Sequence, residues 1–538
     1  MYGGPQWPRD DNEDNRYLGL SALQLDIAFF IVAVAVALAV WWFAFDGWTP
    51  GSGDDRKSVQ ANPTLPAGKA AYDPAPCPFT TPTGRSVTCG YLRVPENRAK
   101  RDNGRIVRLA VAVFKTSNPQ PKPDPVVYLN GGPGGDTLEM VPYAFEAFFE
   151  PFLGDRDLIL LDQRGAGLSE PSLDCPENRE AIYATLDKDL SVDEAVARDI
   201  DAVNKCRDRL TKLRVDLPAY NSAENASDVD DLRVALGYDQ WNLYGASYGT
   251  RLALTVMRDH PQGVRSVILD STVPLEADLY ADLPAGLARS LDRLFSACAA
   301  DRFCAGTYPN LESVFYQTAA QLDREPAHVR ATDPISLRTF SDVVVNGDTF
   351  VSTIFQGLYS EQAIPVLPEA IYETAAGNYG LLAQVLGNSL TDVDIISTGM
   401  YLSVQCSEEV PFSSAEKVQA AAANFPALTS RFDYDSRFYF SVCPAWVSVP
   451  PADKENQPVN SGIPTLVTAG EFDPITPPSW GQQVAGALSH SYFFQFPGLG
   501  HGVATSGDCP TSITLAFLDD PSVHQAPHRP VDRETSNH

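Results

Sequence analysis

Three residues that are far apart in the sequence have the side chains of a nucleophilic centre. Ser247 lies in the pattern Gly-x-Ser-x-Gly, directly after the apolar run Trp241-Asn242-Leu243-Tyr244, and Asp473 and His501 each follow a later apolar run. A serine hydroxyl becomes a good nucleophile when an imidazole accepts its proton, and a carboxylate must fix the tautomer of that imidazole. We therefore predict Ser247 as the nucleophile, His501 as the general base and Asp473 as its orienting acid.

Other interpretations of the histidines stay open at this point. A histidine in a glycine-rich loop is often a solvated turn residue, and His501 taken alone fits that description. The chain has seven histidines, and three of them, His524, His528 and His538, fall in the last polar stretch. His260 is the main competitor, but it occurs at the predicted end of the helix that follows Ser247. His501 is therefore the preferred general base.

A glycine-rich loop is expected to complete the centre. The apolar run Val126–Leu129 is followed by Asn130-Gly131-Gly132-Pro133-Gly134-Gly135. Backbone N–H groups in such loops can approach a substrate closely and stabilise the negative oxygen of a tetrahedral intermediate. We predict that the N–H of Tyr248 and that of Gly131 or Gly132 form this oxyanion hole. The alternative is that the loop is only a tight turn.

The order of several motifs points to one family. These motifs are Asn130-Gly131-Gly132-Pro133-Gly134, Asp162-Gln163-Arg164-Gly165, Gly245-Ala246-Ser247-Tyr248-Gly249 and Gly470-Glu471-Phe472-Asp473-Pro474. Together they resemble the prolyl iminopeptidase and tripeptidyl aminopeptidase family of α/β-hydrolases. The resemblance implies a serine exopeptidase that removes one or a few residues from a free peptide N-terminus and needs no metal and no cofactor. We interpret Asp162 and Arg164 as structural residues that tie loops together beneath the site.

Apolar runs and their spacing predict an α/β fold with a mostly parallel sheet. Short β-rich runs are separated by helical segments such as Ser227–Gly237, and several runs are apolar throughout, as strands covered on both faces should be. We expect a hydrolase core in residues 76–273 and 460–522, with a largely helical cap over the site in residues 274–459. An unrelated inserted domain is the alternative for the cap. The predicted strands are Arg105–Val113, Val126–Leu129, Leu158–Leu161, Trp241–Tyr244, Val264–Leu269 and Tyr492–Phe496.

Two adjacent acids in the predicted cap are candidates for substrate binding. An enzyme that selects a free amino terminus needs a carboxylate to pair with the ammonium group, and the resemblance implies that such acids lie in the cap. Glu408 and Glu409 are our candidates. The alternative is that both are solvated surface acids.

An apolar segment near the N-terminus predicts a membrane anchor. Residues 27–45 contain no charged side chain and would form roughly 28 Å of helix, close to the thickness of the hydrocarbon core. We expect a polar tail at residues 1–26, a transmembrane signal anchor at 27–45, a linker at 46–75 and a disordered tail at 523–538. A cleaved signal peptide, which would make the protein secreted, is the alternative.

The cysteines favour an oxidising compartment. The chain has nine cysteines, and proximity in the sequence pairs eight of them as disulfides, which places the catalytic domain on the extracytoplasmic side of the membrane. Cys509 is left over. If the thiols are instead simple buried cysteines, the domain could face the cytosol. The predicted pairs are Cys77 with Cys89, Cys175 with Cys206, Cys298 with Cys304 and Cys406 with Cys443.

Charge and chemistry limit the partners and leave two other function classes. A net charge of −28 disfavours nucleic acids as partners and could concentrate cationic amines near the site. We expect peptides with a free N-terminus as substrates. A carboxylesterase or lipase would use the same three residues, since ester and amide acyl transfer share their chemistry. A non-catalytic adhesion protein on the same fold is the remote alternative.

Overall fold

A mixed β-sheet forms the centre of the protein. The computed structural model describes residues 70–522 except Ser448. Within these residues nine strands form one sheet in the order β1-β2-β3-β5-β4-β6-β7-β10-β11, and β8 and β9 form a separate hairpin. The strands are β1 Ala71–Ala75, β2 Ser86–Pro95, β3 Ile106–Lys115, β4 Val126–Leu129, β5 Leu158–Leu161, β6 Trp241–Ala246, β7 Val264–Asp270, β8 Ala327–Thr332, β9 Thr339–Val345, β10 Thr465–Gly470 and β11 Ser491–Phe496.

The sheet is parallel from β5 to β11, whereas β1, β2 and β3 are antiparallel. Strands covered on both faces need apolar side chains throughout, and β5 is buried at each of its four positions. The carboxyl ends of parallel strands meet at one edge of the sheet, which is where active sites of open α/β sheets form. The loops that carry Ser247, Asp473 and His501 all begin at this edge, after β6, β10 and β11.

Sixteen α-helices accompany the strands in the described residues. They are α1 Val141–Ala144, α2 Pro176–Tyr183, α3 Val192–Lys212, α4 Ser222–Leu236, α5 Tyr248–Asp259, α6 Leu279–Ala300, α7 Arg302–Thr307, α8 Leu311–Arg324, α9 Gly347–Gly357, α10 Leu367–Ala375, α11 Gly380–Ile395, α12 Thr398–Val404, α13 Ala415–Ala422, α14 Thr429–Trp446, α15 Pro478–Ala487 and α16 Asp508–Asp519. Short 3-10 and π-helical turns join several of them. One π-helical turn, Gln405–Glu409, continues directly from α12.

The sequence predicts this α/β fold correctly, with shifts at the element ends. Strands β4 and β5 have the predicted bounds. Helix α4 begins five residues before the predicted Ser227, because the side chain of Asn221 caps its first turn by accepting the N–H of Glu224 at 2.9 Å. Its C-terminal cap is Gly237, which has a left-handed backbone with φ of 79°.

The segment between β7 and β10 is largely helical, as expected for a cap. It contains helices α6 to α14, together with the hairpin of β8 and β9. The predicted linker, in contrast, extends too far. Residues Ala71–Ala75 form the edge strand β1, which pairs with β2 along its whole length. An edge strand tolerates proline, because the backbone on one of its sides needs no hydrogen-bond partner. The proline weakens the strand pattern in the sequence, so the pattern does not predict this strand.

Four disulfides are present, and they join the same four pairs that sequence proximity predicts. Two lie before the cap, Cys77–Cys89 and Cys175–Cys206, and two lie within it, Cys298–Cys304 and Cys406–Cys443. Cys509 is a free thiol on the surface. The eight bonded cysteines are therefore not simple buried thiols.

The predicted membrane anchor at residues 27–45 lies outside the described residues, as do the tails at 1–26 and 523–538 and most of the linker. Within residues 70–522, no helix has both the length and the apolar character needed to cross a membrane.

Candidate active site

Ser247 lies on a sharp turn between β6 and α5. Its backbone has φ of 55° and ψ of −126°, which is a strained conformation for a residue with a side chain. The two glycines of the motif are required by close backbone contacts. A Cβ on Gly245 would lie 2.3 Å from the carbonyl oxygen of Gly249, and a Cβ on Gly249 would lie 1.9 Å from that of Leu129. The turn therefore holds the serine in the geometry of a nucleophile elbow.

Asp473 and His501 meet at the same edge of the sheet. His501 Nδ1 lies 2.8 Å from Asp473 Oδ2. The aspartate is fully buried and the histidine side chain is 13% exposed. The hydroxyl of Thr476 donates to Asp473 Oδ2 at 2.6 Å, and the N–H groups of Ile475 and Thr476 donate to Asp473 Oδ1 at 3.0 and 2.9 Å. The carboxylate is thus held by three donors besides the imidazole.

Asp473 and His501 each stabilise the charged form of the other. Burial raises the pKa of the Asp473 carboxyl, but His501 and Thr476 lower it below its ordinary value. Burial lowers the pKa of the His501 imidazole, but the charge and hydrogen bond of Asp473 and the charge of Asp270 raise it above its ordinary value. An imidazolium that forms when His501 takes a proton is therefore stabilised.

Asp270, the last residue of β7, connects the base loop, which carries His501 and continues to Ala504, to the turn at Ser247. Its backbone carbonyl accepts the N–H of Ser247 at 2.9 Å. Its side chain is fully buried. Burial raises the pKa of this carboxyl, and four hydrogen bonds oppose that rise. The four donors are the N–H groups of Val503 and Ala504 at 2.8 and 2.9 Å and the hydroxyls of Thr468 and Tyr244 at 2.9 and 3.0 Å.

The glycine-rich loop lies against the nucleophile. A Cβ on Gly131 would lie 2.9 Å from Ser247 Cβ. The N–H of Gly131, however, donates to the side-chain oxygen of Asn130 at 2.8 Å. This occupies one of the two predicted loop donors. The exposed Gly132 is therefore the better candidate for the oxyanion donor. The prediction for Gly131 is corrected: its role is to leave space for the side chain of Ser247.

The other predicted oxyanion donor is the first residue of α5. Backbone N–H groups in the first turn of a helix have no intrahelical acceptor, so the N–H of Tyr248 is available for a substrate oxygen. The Tyr248 side chain is buried, and its hydroxyl lies 2.8 Å from Ser222 Oγ. This contact fixes the start of the helix.

Asp162, Gln163 and Arg164 connect loops beneath the site. Asp162 is fully buried and accepts the N–H groups of Thr137 and Leu138, which follow the glycine-rich loop, at 2.8 and 3.0 Å. Gln163 donates to the carbonyl of Asn130 at 2.9 Å. Arg164 is fully buried and pairs with Asp228 of α4, with Nε at 2.7 Å from the carboxylate. These are structural contacts.

Glu408 and Glu409 are buried and share one arginine. They are 3% and 6% exposed, so the alternative of solvated surface acids is wrong. Arg251, four residues after Ser247 on α5, lies 3.1 Å from an oxygen of each. Glu408 also accepts the N–H of Ser222. Two carboxylates thus face one guanidinium, and burial, together with Glu408 and Asp278, raises the pKa of Glu409 to about 7 although Arg251 lowers it.

Sequence reasoning missed three residues of this centre. Asp270 has a weak signal, since it is an acid that ends an apolar strand. Arg251 has the spacing of one helical turn from Ser247. Tyr359 has no local signal: it comes from the cap, its ring centroid lies 4.9 Å from that of His501, and its carbonyl accepts the N–H of His501 at 3.0 Å. The competitor His260 contacts Ser227 Oγ at 3.1 Å, at the end of α5.

One group of potential metal ligands occurs in the described part of the chain, at Cys175, Glu177 and Cys206. Its two sulfurs are joined in a disulfide and have no thiolate to offer a metal. This group therefore does not form a metal site.

Replacing Asp270 by asparagine should disturb the base more than the fold. We expect Asp270→Asn to slow fluorophosphonate labelling of Ser247 by roughly 100-fold, because a displaced catalytic group costs about that much. The charge of Asp270 raises the pKa of His501, so its loss should move the acid limb of the labelling rate to lower pH. The measurement is the labelling rate as a function of pH.

Asp162→Asn is a matched control, since it also removes a fully buried carboxylate that accepts backbone N–H groups. It should lower stability without moving the acid limb. An unchanged acid limb in Asp270→Asn, at full labelling rate, would contradict this role for Asp270.

The chain is similar in sequence to several known peptidases. The serine protease Hip1 of Mycobacterium tuberculosis is 27% identical over 471 residues, which cover 82% of this chain and 88% of Hip1. The tripeptidyl aminopeptidase of Streptomyces lividans is 29% identical over 217 residues, 38% of this chain and 39% of that protein. The proline iminopeptidase of Xylella fastidiosa is 27% identical over 152 residues, 28% of this chain and 33% of that protein.

A family model for the alpha/beta hydrolase fold matches residues 124–507, which is more than half of the chain. The matched region contains β4 to β11, the elbow at Ser247, and both Asp473 and His501. The chain therefore belongs to the α/β-hydrolase fold family.

Proposed function

We propose that the protein is a membrane-anchored serine aminopeptidase that releases one or a few residues from peptide N-termini through an acyl-enzyme on Ser247. The observation that carries the proposal is the Asp473–His501 hydrogen bond of 2.8 Å, tied through Asp270 to the strained turn at Ser247. The serine protease, tripeptidyl aminopeptidase and proline iminopeptidase among its relatives support peptide substrates.

In the proposed reaction, Asp473 accepts a hydrogen bond from the Nδ1–H of His501, and this tautomer leaves the lone pair of Nε2 free to take the proton of the Ser247 hydroxyl. The serine oxygen then attacks the substrate carbonyl. The N–H groups of Tyr248 and Gly132 stabilise the resulting oxyanion. The imidazolium gives its proton to the departing amine and the C–N bond breaks, leaving an ester on Ser247. A water, deprotonated by His501, hydrolyses that ester and restores the serine.

Selection of the amino terminus is assigned to Glu409. Both oxygens of Glu408 are already held, by Arg251 and by the N–H of Ser222. Glu409 pairs with the same Arg251, at 3.1 Å. Two carboxylates and one guanidinium leave an excess negative charge in a buried place, which is unfavourable unless a proton or another cation balances it. A substrate ammonium would supply that cation, and the acidic chain would attract it.

Ser247→Ala should abolish the activity, since no other group can form the acyl-enzyme. We expect hydrolysis of a free-N-terminus peptide to fall by roughly 10⁴-fold or more, with no fluorophosphonate label on the protein. The measurement is product sizing by mass spectrometry together with labelling. Ser512→Ala, at an exposed position on α16, is the control and should behave as wild type.

The same assay tests the esterase alternative, because aminoacyl arylamides and short acyl esters can be compared side by side. Faster turnover of esters and no release of N-terminal residues would contradict an aminopeptidase. A wild-type protein that takes no label at Ser247 would remove the serine mechanism altogether.

Glu409→Gln should weaken only substrates with a free amino terminus. We expect KM for a peptide arylamide to rise roughly tenfold, since a charged hydrogen bond is lost, with no change for the N-acetylated form. Wild-type KM should fall as pH rises through about 7, where Glu409 ionises, until the substrate amine itself deprotonates near about 8. The variant should lose this fall.

Glu408→Gln provides the comparison, because Glu408 is held by protein groups through both oxygens. It should affect free and N-acetylated substrates alike. Equal losses on the two substrates in Glu409→Gln as well would show that Glu409 is not the amine anchor.

The anchor and the location form a separate part of the proposal. Four disulfides support an oxidising compartment for the hydrolase, and the uncharged segment 27–45 supports a membrane anchor. Deleting residues 1–45 should move the protein from the carbonate-washed membrane fraction to the soluble fraction. Mass spectrometry of the full-length protein is the control. A mature protein that already lacks these residues would indicate a cleaved signal peptide instead.

A further inference from the structure

One face of the cap helix α6 lies along the loop that follows β10 and carries Asp473. We call this loop, residues 471–476, the acid loop. Residues three and four positions apart share one face of a helix. The members of this face are Gly286, Arg289, Ser290 and Arg293. A Cβ on Gly286 would lie 3.3 Å from the carbonyl oxygen of Pro474, so the helix lies close against the backbone of the acid loop.

Two side chains of this face hold the backbone of the predicted catalytic acid. The Arg289 guanidinium donates to the carbonyl oxygen of Glu471 at 2.8 Å and, through its other Nη, to the carbonyl oxygen of Asp473. The hydroxyl of Ser290, which is fully buried, donates to the same Asp473 carbonyl at 2.9 Å. The cap therefore fixes the main chain of Asp473 with two donors, in addition to the donors that hold its carboxylate.

The arginine does more than satisfy a buried carbonyl. One neutral donor is enough for that, and Ser290 already supplies it. The positive charge of Arg289 lies where burial disfavours it, because burial lowers the pKa of the guanidinium although the charges of Asp473 and Glu471 raise it. Within residues 70–522 its Nε has no hydrogen-bond partner, so its contacts with the acid loop are made by the two Nη groups. A planar fork that spans two carbonyls fixes the loop in one orientation.

The neighbouring Arg293 contacts the acid loop differently. Its Nε donates to one carboxylate oxygen of Glu471 at 2.6 Å, and the N–H of Gly498 donates to the other at 3.0 Å. The side chain of Arg293 is 45% exposed. Arg293 thus contacts a side chain at the surface, whereas Arg289 contacts the main chain at the catalytic acid.

The position of Asp473 decides the orientation of the general base. Its carboxylate lies 2.8 Å from His501 Nδ1, and this contact selects the tautomer that leaves Nε2 free for Ser247. A displacement of the carboxylate by about 1 Å would take the two atoms beyond hydrogen-bond distance. Small movements of the acid loop therefore matter for the reaction.

We propose that Arg289 is a positioning residue that aligns Asp473 with His501 from the cap. The inference rests on the proposed function and gives the cap a part in the reaction besides binding the substrate. Helix α6 must lie against the acid loop for the acid to be aligned, so docking of the cap and alignment of Asp473 occur together.

The test compares Arg289→Met with Arg293→Met in the full chain. Both variants lose one positive charge from the same helix face, but only Arg289→Met loses donors to Asp473. We expect Arg289→Met to slow fluorophosphonate labelling of Ser247, and to lower kcat for trialanine p-nitroanilide with KM unchanged, by roughly 100-fold. Arg293→Met should match wild type.

Two further variants separate the charge from the hydrogen bonds. Arg289→Lys keeps the charge and a donor, so it should recover roughly tenfold of the loss. Ser290→Ala changes no charge and removes the second donor to the Asp473 carbonyl, and we expect it to slow labelling roughly fivefold. Circular dichroism during thermal unfolding shows whether each variant is folded.

The pH dependence of labelling distinguishes positioning from a simple effect of charge. Asp473 raises the pKa of His501, so a displaced Asp473 should move the acid limb of the labelling rate to lower pH. Loss of a positive charge alone would favour the imidazolium and move this limb to higher pH. Asp270, whose charge also raises the pKa of His501, is the same in every variant. We expect a shift to lower pH in Arg289→Met and a smaller one in Ser290→Ala.

A wild-type labelling rate in folded Arg289→Met, an acid limb moved to higher pH, or an equal loss in Arg293→Met would overturn the inference. If Arg289→Met does not fold, Ser290→Ala decides, and a wild-type rate with an unmoved acid limb in that variant would overturn it as well. Labelling reports the alignment of the acid, whereas the anilide reports the aminopeptidase activity. A wild-type protein that takes the label but does not cleave the anilide would therefore contradict only the proposed function.

Discussion

One buried carboxylate, Asp270, joins the parts of the candidate active site that come from distant segments of the chain. A carboxylate without water must find donors within the protein, because an unsatisfied buried charge is very unfavourable. Asp270 finds them on β6, on β10 and in the loop after His501, while its own carbonyl holds the N–H of Ser247. The requirement to satisfy this group therefore fixes where the base loop lies relative to the nucleophile.

A second constraint is the balance of charge where the cap meets the core. Helix α5 begins with the predicted oxyanion donor at Tyr248 and carries Arg251 one turn later. Arg251 is fully buried between Glu408 and Glu409 of the cap. The same short helix therefore contributes to the chemistry and holds the acids assigned to the substrate amine. The proposed amine site in the cap and the proposed nucleophile are therefore connected through this helix.

Close backbone contacts and one disulfide hold the cap firmly against the hydrolase core. A Cβ on Gly500 would lie 2.3 Å from the carbonyl oxygen of Leu358, and a Cβ on Gly470 would lie 1.8 Å from that of Gly500. The backbone at Leu358, the loop that carries His501 and the end of β10 thus lie against one another, with no space for side chains at Gly470 and Gly500. The Cys406–Cys443 disulfide joins the segment that carries Glu409 to helix α14.

By itself, the sequence determined the fold class, the elbow, the order of acid and base, and the four disulfide pairs. These features are local or ordered along the chain. Glycines at 245 and 249 are dictated by backbone contacts within one turn and with the adjacent strand, and apolar runs mark strands that are covered on both faces.

Only the tertiary structure engaged the N–H of Gly131 with the side chain of Asn130, paired Arg251 with the cap acids, placed Tyr359 on His501 and showed Ala71–Ala75 to be a strand. Each of these depends on a contact or an orientation that has no periodic pattern. Arg251 and Glu408 are 157 residues apart, and Tyr359 and His501 come from the cap and the core. Such pairs are selected by packing and by the need to satisfy buried charge, and both act only after the chain has folded.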